Sequence, residues 1–239
     1  MDNSQSLKEL IRHCLFRVGL FSLLQARRKK AGLITTHLNE RERAGRFAAI
    51  YERGVWRQSK AQQAGSGPGS ELHMTDNIRS ELPNVLRRNN VQHLVDLGCG
   101  DWTWMSRVDL PCNYLGVDIV ADVVRRNQEH YGSANVAFMQ LDAVVEEIPR
   151  CDAVLCREVL FHLSFEDGKS VIKNIKRNAK WLIVTSDPGI WFNSDIPSGD
   201  FRMLNLQRAP FRFPTPDDQI LDAQLVPGRI LGIWNTAKL

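Results

Sequence analysis

The sequence predicts an α/β fold, a mostly parallel sheet with helices on both faces, preceded by a separate helical segment. Three observations carry that prediction. From residue 71 onward, short apolar runs alternate with helical stretches. The first run leads into a Gly-Cys-Gly turn at Gly98-Cys99-Gly100. Three successive runs end in or beside an aspartate, at Asp96, Asp118 and Asp142.

With 239 residues the chain has room for one domain, or one domain plus an appendage, and needs no covalent or metal staple to bury a core. Its 43% hydrophobic and 24% charged residues exclude a disordered, collagen-like or disulfide-rich chain. The five cysteines, Cys14, Cys99, Cys112, Cys151 and Cys156, are odd in number and match no zinc spacing, so we expect reduced thiols and no metal site. No apolar run reaches the roughly 18 residues of a membrane-spanning helix. The polar start carries no basic segment ahead of an apolar core, so a cleaved secretory signal is not expected and the predicted location is the cytoplasm.

Charge divides the chain. Residues 1–60 hold 13 Lys/Arg against 5 Asp/Glu, a net +8, whereas residues 61–239 hold 18 against 22, a net −4. We therefore expect a basic N-terminal helical appendage, 1–60, and a body, 61–239. In the appendage, Leu7, Leu10, Ile11, Cys14, Leu15 and Val18 recur at helical spacing. Leu20, Phe21, Leu23 and Leu24 extend the apolar surface, and Arg27-Arg28-Lys29-Lys30 follows at once. Residues 7–30 suit packing on the body or on a twin subunit, or an anionic membrane at its inner face. Nucleic acid is disfavoured, because basic and aromatic residues do not interleave. A second helix is expected over 38–53, before Trp56. The loop Gly65-Ser66-Gly67-Pro68-Gly69-Ser70 is the strongest break in the chain.

In the body, a helix is expected over 75–88, kinked or split at Pro83. Strands are expected at 93–97, 114–119, 136–141, 153–156 and 181–185, with helices over 121–130 and 165–177. A closing hairpin is expected from 221–225 and 229–234. Ligands of such sheets bind beyond the carboxyl ends of the strands. There, Gly98 and Gly100 let backbone approach a ligand, and a helix starting near Trp102 would aim free N–H groups at it. Asp96 can meet an amine, Asp118 both hydroxyls of a ribose, and Asp142 an adenine amino group, with the next backbone N–H donating to a ring nitrogen.

The strings Val95-Asp96-Leu97-Gly98-Cys99-Gly100-Asp101, Gly116-Val117-Asp118 and Leu141-Asp142 resemble the class I S-adenosylmethionine-dependent methyltransferases. The resemblance implies a Rossmann-like seven-stranded sheet. It also implies that Asp96, Gly98 and Gly100 hold the methionine end, Asp118 the ribose, and Asp142 and Ala143 the adenine, with Cys99 and Ile119 beside them. A narrower likeness is carried by Ser66-Gly67-Pro68-Gly69-Ser70, Cys99-Gly100-Asp101-Trp102, the stretch from Cys156-Arg157-Glu158 to His162-Leu163-Ser164, and Asn205-Leu206 with Pro210-Phe211 and Pro214. These are similar to a bacterial group that accompanies surface-polysaccharide assembly enzymes.

Methyl transfer is mostly alignment, and a base helps only when the acceptor is an alcohol. His162, four residues past Glu158, is the first candidate base, and Asp187 at the end of the fifth strand is the second. Arg157 is expected to brace Asp142 or the cofactor. The loop at 65–70 can curl into a nest of N–H groups that fits an anion, and with Trp56 and Ser66 can fold over the cofactor as a lid. Arg202 and Asp101 are candidate acceptor contacts, Arg208 a further anion partner, and Trp191, Phe192, Phe201, Phe211 and Phe213 rings that could stack on a sugar. The expected function is O-methylation of a small molecule or glycan. The alternatives are an RNA or protein methyltransferase using the basic arm, and a non-catalytic cofactor-binding partner of a glycosyltransferase. Self-association stays open.

Overall fold

A seven-stranded sheet organises the chain in the computed structural model, which describes residues 3–18, 20–31, 33, 35–57, 62 and 64–239. Its strands are β1 (His93–Leu97), β2 (Asn113–Asp118), β3 (Val136–Gln140), β4 (Cys151–Cys156), β5 (Ala179–Ser186), β6 (Asp218–Leu221) and β7 (Ile230–Asn235). They lie in the order β3-β2-β1-β4-β5-β7-β6. The first five are parallel, and β7 runs antiparallel to both β5 and β6. The order reverses between β1 and β4, so the crevice beyond their carboxyl ends is where a ligand belongs.

Burial on both faces explains the near-continuous apolar runs. Val95, Leu97, Val117, Val154 and Cys156 point to one core, shared with α6 (Phe165–Asn178) through Val171, Ile172 and Ile175. Leu94, Tyr114, Ala153, Leu155 and Ile183 point to the other, shared with α4 (Asp76–Arg88) and with Val124 of α5 (Ala121–Tyr131). Trp234 of β7 is fully buried and its indole N–H donates to Pro214 O at 2.9 Å.

Several expectations change. The helix at 76–88 is not split but continues past Pro83. Pro costs about 3 kcal/mol inside a helix. Burying Ile78, Leu82, Val85 and Leu86 at roughly 1.5–3 kcal/mol each outweighs it. No α-helix starts at Trp102; the chain makes only a 3-10 turn at Met105–Arg107, because Trp102 sits at φ +59°, outside helical space. The first strand of the hairpin lies at Asp218–Leu221, a few residues before the expected 221–225, where Ile220 fills the core.

Ahead of the sheet come α1 (Asn3–Arg17), α2 (Phe21–Lys30) and α3 (Arg43–Glu52); α1 and α2 bond the segment after β5, and α3 bonds Asp142 and Asp167. The expected 38–53 helix is divided into a 3-10 turn, Thr36–Asn39, and α3. His37 in that turn is buried and donates to Gly199 O at 2.9 Å through Nε2. The side chains of Arg17 and Phe21 lie outside the described residues. No described helix is long and apolar enough to cross a membrane.

Candidate active site

The turn after β1 is built by hydrogen bonds to β2. Gly98 N and Cys99 N both donate to Val117 O, at 2.8 and 3.1 Å. Gly98 and Gly100 adopt φ +69° and +59°, which a side chain would strain. Gly100 N donates to Asp118 Oδ2 at 3.1 Å, and Val120 N to Oδ1 at 3.0 Å. The Asp118 carboxylate is thus held rigidly, with lone pairs left for a ligand's hydroxyls.

Asp96, Gly98, Cys99, Gly100, Asp118, Ile119, Asp142 and Ala143 all line one pocket. It spans about 1030 Å³ when the solvent-open part of its mouth is counted. Trp56, Ser66, Arg157, Glu158 and His162 share it, as do Arg43, Phe47 and Tyr51 of α3. Tyr114 donates its hydroxyl to Asp96 Oδ2 at 2.7 Å. Burial, with Asp118 close by, nevertheless pushes Asp96 up to about 7. Burial also raises Asp118. Two buried acids lifted in this way are short of positive charge.

Arg157 offsets this only in part, and the cations in the wall are bonded to other groups. Arg157 gives Nε and NH2 to Asp222, both at 3.0 Å, and NH2 also to Gly69 O at 3.0 Å. It therefore does not brace Asp142. Arg43 does: one end of its guanidinium bonds Asp142 Oδ2, and the other pairs with Asp167 at 3.0 and 2.9 Å. Nothing in the spacing of Arg43, 99 residues before Asp142, announced this contact. A cationic ligand such as S-adenosylmethionine fits the charge the acids lack. Asp96, Asp118 and Asp142 would hold its ammonium, ribose and adenine.

Beyond β4, Glu158 takes φ +58° and Arg229 NH1 donates to its carboxylate at 2.8 Å. Glu158 stood outside the sequence candidates. A 3-10 turn, Leu160–His162, then brings His162 to the pocket. Because a carbonyl only accepts, Nδ1 carries the proton it donates to Asp200 O at 2.8 Å, and Nε2 keeps a lone pair. Burial pulls His162 down to about 4, so the ring is neutral at neutral pH. The Trp56 ring lies 4.9 Å from it, centroid to centroid.

The loop at 65–70 does form a nest, but its anion is internal. Gly65 N and Ser66 N both donate to Asp101 Oδ2, and Asp101 N donates to Ser66 Oγ at 2.7 Å. Thr103 occupies Oδ1. Asp101 therefore ties the loop over the glycine turn and does not line the pocket of the three acids. Asp187 is 2% exposed and spent on Arg229 Nε at 2.8 Å and Leu204 N at 2.9 Å. It stays outside that lining, so it cannot serve there as a base. Arg202 is fully buried, donates to Leu163 O at 2.5 Å and packs over Phe165. Its place is structural and away from an acceptor. Exposed Arg208 and the rings of Trp191, Phe192, Phe201, Phe211 and Phe213 also lie off the pocket; Phe213 packs on Trp234 instead.

Comparison with known proteins agrees with this architecture. Residues 94–181 match the model of a methyltransferase domain family. "Uncharacterized methyltransferase Rv0089" of Mycobacterium tuberculosis (strain ATCC 25618 / H37Rv) is 31% identical over 87 residues, covering 35% of this chain and 43% of that protein. "Uncharacterized methyltransferase Mb0092" of Mycobacterium bovis matches to the same extent. The chain spans less than half the length of these curated relatives. Among solved structures, PigF with SAH superposes at a TM-score of 0.57 and 13% identity, covering 82% of this chain and 63% of that one. The sheet shares the Rossmann-like fold of that structure, and residues 94–181 are similar to the methyltransferase domain family.

Proposed function

We propose that this chain is an S-adenosylmethionine-dependent methyltransferase that methylates a hydroxyl on a small, ring-bearing acceptor such as a sugar or glycan. The observation that carries the reading is the meeting, in one pocket, of three strand-end carboxylates with a neutral histidine whose Nε2 lone pair is unengaged by any described residue. When bound, S-adenosylmethionine supplies an electrophilic methyl group. Asp96, Asp118 and Asp142 bind and orient. His162 Nε2 accepts the hydroxyl proton, while Asp200 O fixes the ring's tautomer and Glu158 steadies the imidazolium with its negative charge. Trp56, Phe47 and Tyr51 exclude water and offer aromatic faces to the C–H side of a sugar ring. The likeness of the stretches around Ser66, Arg157 and Asn205 to enzymes accompanying polysaccharide assembly supports the glycan class.

The test is a methyl-transfer screen with labelled cofactor over nucleotide sugars, phosphorylated glycans and RNA, run on the parent and on His162→Asn. Asn keeps a donor near the Nδ1 position. Transfer to a sugar hydroxyl should fall about 100- to 10,000-fold in kcat, with cofactor affinity retained. Full kcat in the variant would remove the base. Transfer confined to RNA, or cofactor binding without any turnover, would overturn the acceptor class.

A further inference from the structure

Helix α1 carries an exposed apolar stripe opposite two buried polar residues, while Leu10 and Leu15 are half-buried. Ser6 is fully buried and Glu9 is 5% exposed. The Glu9 carboxylate accepts from Ser194 and from Arg12, and Arg12 NH1 also donates to Phe201 O at 2.7 Å. Burial raises Glu9 despite these partners, and this inner face is a polar contact. Four of its apolar positions point outward: Leu7, Ile11 and Val18 are 53, 52 and 66% exposed, and Cys14 is exposed with them. At about 100° per residue, positions 7, 11, 14 and 18 fall within roughly 60° of arc, with Glu9 on the far side. Leu20 and Leu23, just before and within α2, are 45 and 60% exposed as well. Trp191, also half exposed, sits against α1, its backbone N–H donating to Ser6 Oγ.

An exposed apolar stripe of this kind marks a contact surface. Charge decides what covers it. Residues 3–33 contain seven Lys/Arg and a single acid, Glu9, a net +6. Lys8 flanks Leu7 and Ile11, and Arg27, Lys29 and Lys30 are exposed at the end of α2. A second copy seated on the stripe would bring its own +6 against this one. An anionic lipid surface offers an apolar layer beneath a negative one, which matches both features, and an exposed Trp beside the helix suits the headgroup level. We propose that the outward face of α1, with Leu20, Leu23 and the basic end of α2, docks the protein on an anionic membrane surface. The polar inner face keeps the two helices fixed to the body. Arg28 and Gln25 of α2 bond the Asp200 carboxylate at 2.5 and 3.2 Å, so the docking face comes already assembled. The inference is independent of the chemistry assigned to the pocket.

The protein is sedimented with vesicles of phosphatidylcholine alone and of phosphatidylcholine mixed with phosphatidylglycerol. It should bind the mixed vesicles, leave the neutral ones in solution, and be released as salt screens the headgroups. Two double variants separate the contributions: Leu7→Ser with Ile11→Ser removes the apolar stripe, and Lys29→Glu with Lys30→Glu reverses the charge. Each should weaken binding about tenfold or more. All four positions are exposed, so the melting temperature should hold; the charge pair carries the test if the serine variant does not fold. Absence of binding to anionic vesicles overturns the proposal, as does binding that the charge variant leaves unchanged. A dimer in light scattering that the serine variant dissolves would assign the stripe to a second copy instead.

Discussion

The two walls of the pocket are made by different means. One stands on strand ends. Asp96 lies opposite Gly116 in the β1–β2 register, and Asp118 opposite Gln140 in the β2–β3 register. Their positions follow from backbone pairing and cannot shift without breaking the sheet. The other wall stands on α3 and the turn after it. It is held by side chains: Arg43 to Asp142 and Asp167, and Tyr51 to Ser66 at 3.3 Å. A wall fixed by ladder hydrogen bonds suits an invariant ligand. A wall fixed by a few side-chain pairs can be retuned or opened without unfolding. On the proposed reading, the strand-end wall sets cofactor affinity, and the α3 wall sets access and acceptor.

The sharpest break of that division is Asp118→Ala. The substitution removes the acceptor of Gly100 N–H and Val120 N–H together with the ribose contact. Hydrogen bonds to a charged group contribute about 1.5–3 kcal/mol, so cofactor affinity measured by calorimetry should fall about 10- to 100-fold. Parent-like affinity would show that the strand-end wall is not the cofactor wall.

The same contrast explains what was legible in the sequence. The strands and the three acids could be read because apolar runs announce strands and each acid sits at a run's end. The glycine turn was legible too, although the helix expected after it was not, since positive φ at Trp102 leaves no mark in composition. Arg43 could not be read, because its value lies in carboxylates 99 and 124 residues away. Asp187 and Arg202 were misread for one reason. A charged residue at a strand end or in an aromatic loop looks like a site whether it faces a cavity or an internal partner. Only the partners Arg229 and Leu163 O decide. The loop at 65–70 cradles an anion, but that anion is Asp101, a residue whose charge alone made it look like an acceptor contact.

A second, smaller effect sharpens the strand-end wall. Asp96 is pushed up to about 7, first by burial. Below that pH the free protein keeps its proton, and a cationic ligand must displace it. Cofactor affinity should therefore rise with pH through about 7 and level off above, gaining up to about tenfold between pH 6 and pH 8. Stability runs the other way. An acid whose folded value exceeds its unfolded value of about 3.9 contributes stability that is present below pH 4 and is lost as pH rises towards 7. Asp96→Asn should flatten both slopes, in calorimetry and in urea unfolding. If the variant keeps the parent's pH dependence of affinity, another group titrates.

The smallest effect belongs to the α3 wall, and it is the one that decides whether the walls are separate. Arg43 bridges Asp142 and Asp167 with a planar fork, and about a fifth of each side chain is exposed. Pairs this accessible contribute about 1 kcal/mol or less. For a chain of this length that corresponds to roughly 2–4 °C in melting temperature. Arg43→Ala should lower Tm by about that amount, and Arg43→Lys should recover little of it, since one ammonium cannot hold two carboxylates bidentately. Cofactor affinity should change by no more than about fivefold, corresponding to the same 1 kcal/mol, because Asp142 Oδ1 still accepts from Val144 N–H at 3.1 Å and its backbone stays at the strand end. A loss as large as that of Asp118→Ala would mean that α3 helps to hold the cofactor itself. The pocket would then have one wall, part of it carried on a helix that precedes the sheet.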